Sequence, residues 1–189
     1  MENLSLVLPQ ITERKSIRAF SDKPVEKEKL TRMFDAARWA ASAFNEQPWR
    51  FIYANKSQEE SYQKLFNTLN SFNQAWAKNA PVVMIVVVKT NFSENGQVNS
   101  YAIYDTGAAV ANLAIQATAE GLYLHQMAGF SPEKAKETLN IPEGFEAVTA
   151  IVVGYQGDTD VLSDSLKERE KAPRIRKEIS EFTYEGSWR

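Results

Sequence analysis

The sequence predicts an α+β fold. Three observations carry that reading. Segments of helical and strand period are mixed along the chain without strict strand–helix–strand alternation. The continuous apolar run PVVMIVVV at 81–88, biased to β-branched residues, has the pattern of a strand buried on both faces. Residues 99–120, NSYAIYDTGAAVANLAIQATAE, form a long helical stretch whose apolar residues cover much of its circumference. No internal repeat, low-complexity tract or long linker divides the chain. Its 189 residues therefore read as one domain, 1–189, with room for a substantial core.

The elements follow in order. Residues 3–14 suggest a first helix. Residues 25–41 place Leu30, Met33, Phe34, Ala37 and Ala41 at helical spacing, with Pro24 near the start, where proline is tolerated. An irregular polar turn, SAFNEQPW, leads into a strand at about 50–54. Helices are expected at 58–70 and 73–79, before the strand at 81–88. In the helix 99–120 small residues recur (Gly107, Ala108, Ala109, Ala111, Ala114, Ala117), which lets neighbouring elements come close. A domain of this size seldom buries so long a helix within one subunit, so a subunit interface is expected there. Gly121 ends the helix. A strand at 122–127, a turn at AGFSPE, a helix at 132–139 and a strand at 147–154 complete the pattern. The tail from about 158 is polar and charged. Its end, ISEFTYEGSW, alternates aromatic residues as a strand would, with no hairpin partner in the sequence, so pairing with another subunit is expected.

Composition removes several chemistries. Hydrophobic residues at 43 % and charged residues at 24 % describe an ordinary soluble globular chain. The net charge of −2 implies no broad basic surface, which argues against a nucleic-acid partner. The chain has no cysteine, which excludes disulfides, thiolate metal sites and a cysteine nucleophile, and fits a reducing, cytoplasmic setting. The first residues show no basic segment before their short apolar run, so no signal peptide is read, and no apolar stretch reaches membrane-spanning length. The single histidine, His125, rules out a histidine-rich metal site. Neither G-x-S-x-G, G-x-G-x-x-G nor a Walker A pattern occurs. Side chains must hold any phosphate the chain binds.

Four stretches could carry chemistry. In ERKSIRAF (13–20), a helix would put Arg14 and Arg18 on one face and turn Ser16 away; an extended chain points all three the same way. Two guanidinium forks around a hydroxyl suit a phosphate. Taken alone, a solvated charged turn with Glu13, Lys15 and Asp22 is the default reading. In ASAFNEQPW (41–49), the amides Asn45 and Gln47 sit in a turn fixed by Pro48 and Trp49 and offer donors and acceptors to a heteroaromatic ring with imide-like edges. An Asx-type turn beside a buried tryptophan explains the same residues. In LHQMAGF (124–130), Gly129 permits a close backbone approach to a ligand among His125, Met127 and Phe130, or forms a plain turn with His125 as a structural histidine. In PRIRK (173–177), Arg174 and Arg176 repeat the spacing of two, either as a solvated patch or, with 14–18, as four arginines around one anion.

ERKSIRAF, ASAFNEQPW, DTGAAVANL…EGL, HQMAGF and PRIRK, in that order and at these separations, resemble the nitroreductase family of FMN-dependent NAD(P)H oxidoreductases over nearly the whole chain. The resemblance implies a central, mostly antiparallel sheet flanked by helices. It implies a homodimer with two FMN sites at its interface and a C-terminal segment exchanged onto the partner. It further implies that Arg14, Lys15, Ser16 and Arg18 contact the FMN phosphate and ribityl chain, with Arg14 and Lys15 within reach of the ring edge. Arg174 and Arg176 match the late basic pair near the phosphate, and Asn73 the asparagine at the pyrimidine edge. Ser42, Asn45 and Gln47 match the turn offered by the partner subunit, and Ala128 and Gly129 the backbone facing the flavin N5 region. One departure stands out: the family's Pro-Ser-Ser is Ala41, Ser42 and Ala43 here, so one hydroxyl is missing.

No side chain can donate a hydride, so a cofactor must supply that chemistry. The resemblance implies a ping-pong cycle in which NADH or NADPH reduces FMN and a small oxidant, such as a nitroaromatic or quinone, then takes the same open site. No catalytic side chain is assigned; His125 is a candidate pocket residue. A narrower flavin reaction, such as reductive dehalogenation, and a non-catalytic FMN-binding protein are the alternatives.

Overall fold

A computed structural model describes residues 7–188. The chain runs α1 (Pro9–Glu13), α2 (Lys27–Arg38), a 3-10 turn (Ala43–Asn45), β1 (Trp49–Asn55), α3 (Glu59–Phe66), α4 (Ser71–Ala77), β2 (Val82–Lys89) and α5 (Ala102–Ala119). It continues with β3 (Tyr123–Met127), α6 (Pro132–Thr138), β4 (Phe145–Gly154), a 3-10 turn (Thr159–Val161), α7 (Asp164–Lys171) and a last 3-10 turn (Ile179–Glu181). The fold is α+β. Its sheet has four strands in the order β1-β2-β4-β3, and every neighbouring pair is antiparallel.

The run at 82–88 is apolar without alternation because both of its faces are covered. Val83, Ile85 and Val87 point into one core with Ala150 and Val152 of β4, closed by Tyr62 and Leu65 of α3, Trp76 of α4 and Ala135 of α6. Val82, Met84 and Val86 point into a second core, closed by Leu30, Met33 and Ala37 of α2 and by Ala109, Leu113 and Ala117 of α5. Strand period two thus divides one sequence run between two helix layers.

Two expectations change, and a third, that one chain alone does not bury the long helix, is met. Helix α5 is not buried all round: Ala109 and Leu113 are fully buried, whereas Ile103 and Tyr104 are exposed and Gly107 has open space where a side chain would stand. The sheet and α2 cover one side of α5 only. The expected first helix shortens to α1, residues 3–6 of it lying outside the described residues. The aromatic tail forms no strand among the described residues; Ile179–Glu181 make a 3-10 turn closed by a reciprocal Glu178–Glu181 cap, and Tyr184 and Trp188 pair their rings at 4.6 Å. Helix α7 had no apolar stripe to announce it, since Leu166 is its one buried residue.

The N-terminal segment is carried to the sheet by a short bridge. Ser21 N–H donates to the Tyr155 carbonyl (3.0 Å), Gly157 N–H donates to the Ala19 carbonyl (2.8 Å), and Phe20 pairs with Gln156 between them. Gly157 makes this approach possible, because a Cβ there would lie 2.5 Å from the Phe20 carbonyl carbon. Gly157→Ala should therefore destabilise the protein by about 1–3 kcal/mol, as overpacking does. Urea unfolding of the variant against wild type measures the loss.

Candidate functional site

From the end of α1 the chain leaves the helix at Arg14 (φ −52°, ψ 124°) and runs toward the bridge. Ile17, Ala19 and Phe20 are buried and anchor the segment in the first core, while Lys15 and Ser16 are exposed and Arg14 and Arg18 half-buried. The Arg14 guanidinium donates to the Ser16 hydroxyl at 3.4 Å. From the tail, Arg174 donates to the carbonyls of Thr12 (2.6 Å) and Arg14 (2.8 Å). Burial and then the charges of Arg176 and Arg174 pull the Arg14 pKa below its ordinary value. Among the described residues none of these three arginines has a carboxylate partner. Like charges gathered around Arg14 without a counter-ion form a cluster that an anion would stabilise.

Arg18 is held differently. Its backbone N–H donates to both carboxylate oxygens of Glu170 at 3.1 Å, and its guanidinium stands 4.0 Å from one of them. The guanidinium also lies 6.0 Å from the Trp76 ring centroid. A cavity of about 490 Å³ opens here between Lys15–Arg18, Gln156, Thr159, Arg174 and the end of α7. That is the size of a small-molecule site.

Trp76 links this region to a second one. It lies one turn beyond Asn73 on α4. Asn73 is buried, and its side-chain amide donates to the Gly129 carbonyl at 2.9 Å; the Asn70 N–H donates to the same carbonyl at 3.0 Å. Asn70 caps α4 by accepting the Asn73 N–H. Gly129 has no room for a side chain, since a Cβ would meet the Asn70 and Asn73 amides at 2.5 and 2.6 Å. Ala128 beside it is exposed. The close approach permitted by Gly129 is thus used by α4, and it places the Asn73 side chain against the 128–129 backbone.

The third piece is the turn at 42–47. Phe44, Asn45 and Gln47 all have positive φ (53°, 56° and 49°), rare for side chains of this size. Several bonds fix the strained path. The Gln47 N–H donates to the Ser42 hydroxyl (3.0 Å), the Ala43 N–H to buried Asp105 of α5 (2.9 Å), and the Gln47 side chain to the Asn45 side-chain oxygen (3.2 Å). Glu46 accepts from Ser93 and Lys89, which lowers its pKa to about 2, the Ser93 hydroxyl contributing most. Phe44 is 90 % exposed. Ala41 is exposed, and Ala43 contributes only backbone groups to the turn, its N–H to Asp105 and its carbonyl to the Glu46 N–H at 3.0 Å. Among the described residues no hydrogen bond joins this turn to Arg14–Arg18, Asn73 or Gly129. Within one chain the candidate residues therefore form two linked regions and one detached turn. Sequence reasoning missed Trp76, Asp105, Glu46 and Glu170. Asp105, an acid inside a small-residue helix, was a usable signal; Glu170, in a charged tail, was not.

His125 sits beneath the segment. Its Nδ1 is 2.7 Å from the Ile17 carbonyl, an acceptor only, so Nδ1 carries the proton. The ring packs 4.6 Å from Trp76. Burial first, against the Ile17 hydrogen bond, and then the charges of Arg18 and Arg14 bring its pKa from 6.5 to about 4. Folding thus favours the neutral ring. Below pH 6.5 the unfolded chain takes up a proton that the native state refuses until about pH 4. The stability this ring contributes is present above pH 6.5 and falls as the pH drops toward 4, by about 3 kcal/mol. Urea unfolding between these limits should show that slope in the wild type and lose it in His125→Gln. Among the described residues no group of side chains could hold a metal ion, and no helix is long and apolar enough to cross a membrane.

The chain is similar to known proteins. The nitroreductase family model matches residues 11–155. A solved structure described as an oxidoreductase containing FMN superposes with a TM-score of 0.92 at 36 % identity, over 100 % of this chain and 96 % of that one. A nitroreductase family protein from Clostridium difficile 630 superposes with a TM-score of 0.73 at 25 % identity, over 95 % of this chain and 97 % of that one. A Thermus thermophilus protein named NADH dehydrogenase is 26 % identical over 184 residues, 81 % of this chain and 88 % of that protein. The family match runs from α1 to the residue after β4 and takes in the arginine segment, the strained turn and the Asn73–Gly129 contact; the chain belongs to the nitroreductase family.

Proposed function

We propose that the chain is an FMN-dependent NAD(P)H oxidoreductase that reduces nitroaromatics, quinones or similar small oxidants by a ping-pong mechanism, as a cytoplasmic homodimer. One observation carries the reading: the Arg14 guanidinium reaches the Ser16 hydroxyl, and the charges of Arg174 and Arg176 bear on Arg14, with no carboxylate partner for the three among the described residues, in a chain without a glycine-rich phosphate loop. That donor set fits the phosphate monoester of FMN. The relatives support it, one described as an oxidoreductase containing FMN and one named NADH dehydrogenase.

The residues divide the work. Arg14, Ser16, Arg18 and Arg176 hold the phosphate and ribityl chain, with Lys15 at the cavity mouth and Arg174 bracing the segment through its carbonyls. Asn73, Ala128 and Gly129 face the ring. Ser42, Asn45 and Gln47 reach the partner's cofactor, which accounts for a turn so firmly braced and yet detached from its own chain's arginines. FMN, when bound, supplies the hydride chemistry that no side chain here has. The arginines favour added negative charge in the site. His125 stays neutral beneath the segment and donates its proton to Ile17, so solvent supplies protons to the substrate.

Dimerisation rests on exposed apolar surface. Ile103 and Tyr104 of α5, Trp39 beyond α2 and Phe44 of the turn are all exposed, and so are Ile179, Phe182 and Trp188 of the tail. The tail is the segment that crosses onto the partner.

The FMN-loaded protein should oxidise NADH or NADPH in steady state when menadione or a nitroaromatic is supplied. Flavin that neither nicotinamide reduces would refute the enzyme reading. Arg14→Ala removes a charge-assisted contact and should weaken FMN binding by about 1.5–3 kcal/mol in a flavin-fluorescence titration.

A further inference from the structure

The C-terminal segment grips residues 12–18 by their main chain. At one end the Arg174 guanidinium donates to the carbonyls of Thr12 and Arg14. At the other, the Glu170 carboxylate accepts the Arg18 N–H with both oxygens at 3.1 Å. Main-chain donors and acceptors are matched by a guanidinium and a carboxylate four residues apart. The side chains of Arg14 and Ser16 are left out of this grip at the backbone, and the Arg18 guanidinium stands 4.0 Å from the same carboxylate, on a segment otherwise fixed by its buried residues. Glu170 is nearly buried, with 9 % of its side chain exposed, and it is the one carboxylate lining a cavity that Lys15, Arg18, Arg169, Lys171 and Arg174 also line. A lone acid in a cationic cavity opposes anion binding by its charge. Its retention there is explained by where its oxygens go. The residue also lies beyond the stretch matched to the family model, which ends at residue 155.

We infer that Glu170 is a positioning residue of the cofactor site: by holding the Arg18 N–H it fixes the path of residues 14–18 and aims Arg14, Ser16 and Arg18 at the phosphate. The inference rests on the FMN reading above. It makes α7 part of the binding apparatus through the main chain of the arginine segment. The effect of losing Glu170 must fall on the phosphate end of the ligand, and comparison of FMN with riboflavin, which lacks the phosphate, isolates it.

The test titrates wild type, Glu170→Ala and Glu170→Gln with FMN and with riboflavin, following flavin fluorescence, alongside thermal unfolding of each apoprotein. Wild type should prefer FMN. Glu170→Ala should lose about tenfold or more in FMN affinity, the worth of a charge-assisted hydrogen bond, while riboflavin affinity holds within about twofold. Glu170→Gln keeps an accepting oxygen at the same place and should keep the preference for FMN to within about threefold. Equal losses for both ligands in Glu170→Ala, or no loss for either, would overturn the assignment. So would a Gln variant that falls as far as the Ala variant, which would assign the effect to charge. A wild type with no preference for FMN over riboflavin overturns the phosphate-site reading itself, and with it this inference.

Discussion

Two backbone hydrogen bonds, Ser21 N–H to the Tyr155 carbonyl and Gly157 N–H to the Ala19 carbonyl, tie the N-terminal segment to the chain just beyond β4. Everything upstream depends on them. They bring Phe20 into the first core against Trp76, at a ring separation of 6.4 Å, and set Ile17 over His125. With these residues seated, the chain between α1 and Phe20 has few paths open to it. Buried main-chain groups must find partners, and here the partners come from the far end of the sequence. The neutral His125 ring belongs to the same arrangement: it supplies a donor to a buried carbonyl without adding a third positive charge beside Arg14 and Arg18.

The turn at 42–47 follows a different logic. Left-handed backbone at non-glycine residues costs about 1–3 kcal/mol each and persists only where neighbours over-determine it. Asp105, Ser42, Glu46 and Arg50 do so from four directions, the Arg50 guanidinium donating to the Gln47 carbonyl at 2.9 Å. The strain is met by α5 and by the 89–93 segment, both anchored in the sheet. A turn that needed only to reverse the chain would have used glycine. Its side chains are therefore what the strain preserves.

Much of this was legible in the sequence, and the reasons it was or was not are physical. The strand at 82–88 could be read because burial on both faces leaves no polar residue to confuse the pattern. The spacing at 14–18 could be read in part: the Arg14 guanidinium reaches the Ser16 hydroxyl, as a period of two suggests, whereas Arg18 stands by Glu170 and Trp76. Helix α5 was legible in part: its small residues announce close packing, but a single sequence does not separate packing within the chain from packing against another. The alternating aromatics of the tail mimicked a strand because period two is equally available to an exposed irregular segment. Asn73 was reached through resemblance, since one asparagine among several carries no periodic signal. Glu170 was out of reach for a deeper reason. Its closest partner is a main-chain N–H, which every residue but proline possesses, and its 4.0 Å pairing with the Arg18 guanidinium joins two of the chain's many charges with no spacing to mark them.

The contacts that aim the arginines span nearly the whole chain. Arg18 and Glu170 are separated by 152 positions, Arg14 and Arg174 by 160, and Thr12 and Arg174 by 162. Contacts of such separation close long loops and form only after more local structure has been laid down. During synthesis the sheet can complete itself once β4 has emerged, but the arginine cluster cannot assemble until the tail is free of the ribosome. The proposed anion site is thus a late product of folding, formed only once residues 170–174 have joined the N-terminal segment, and a molecule cut before them would keep its sheet while losing that arrangement.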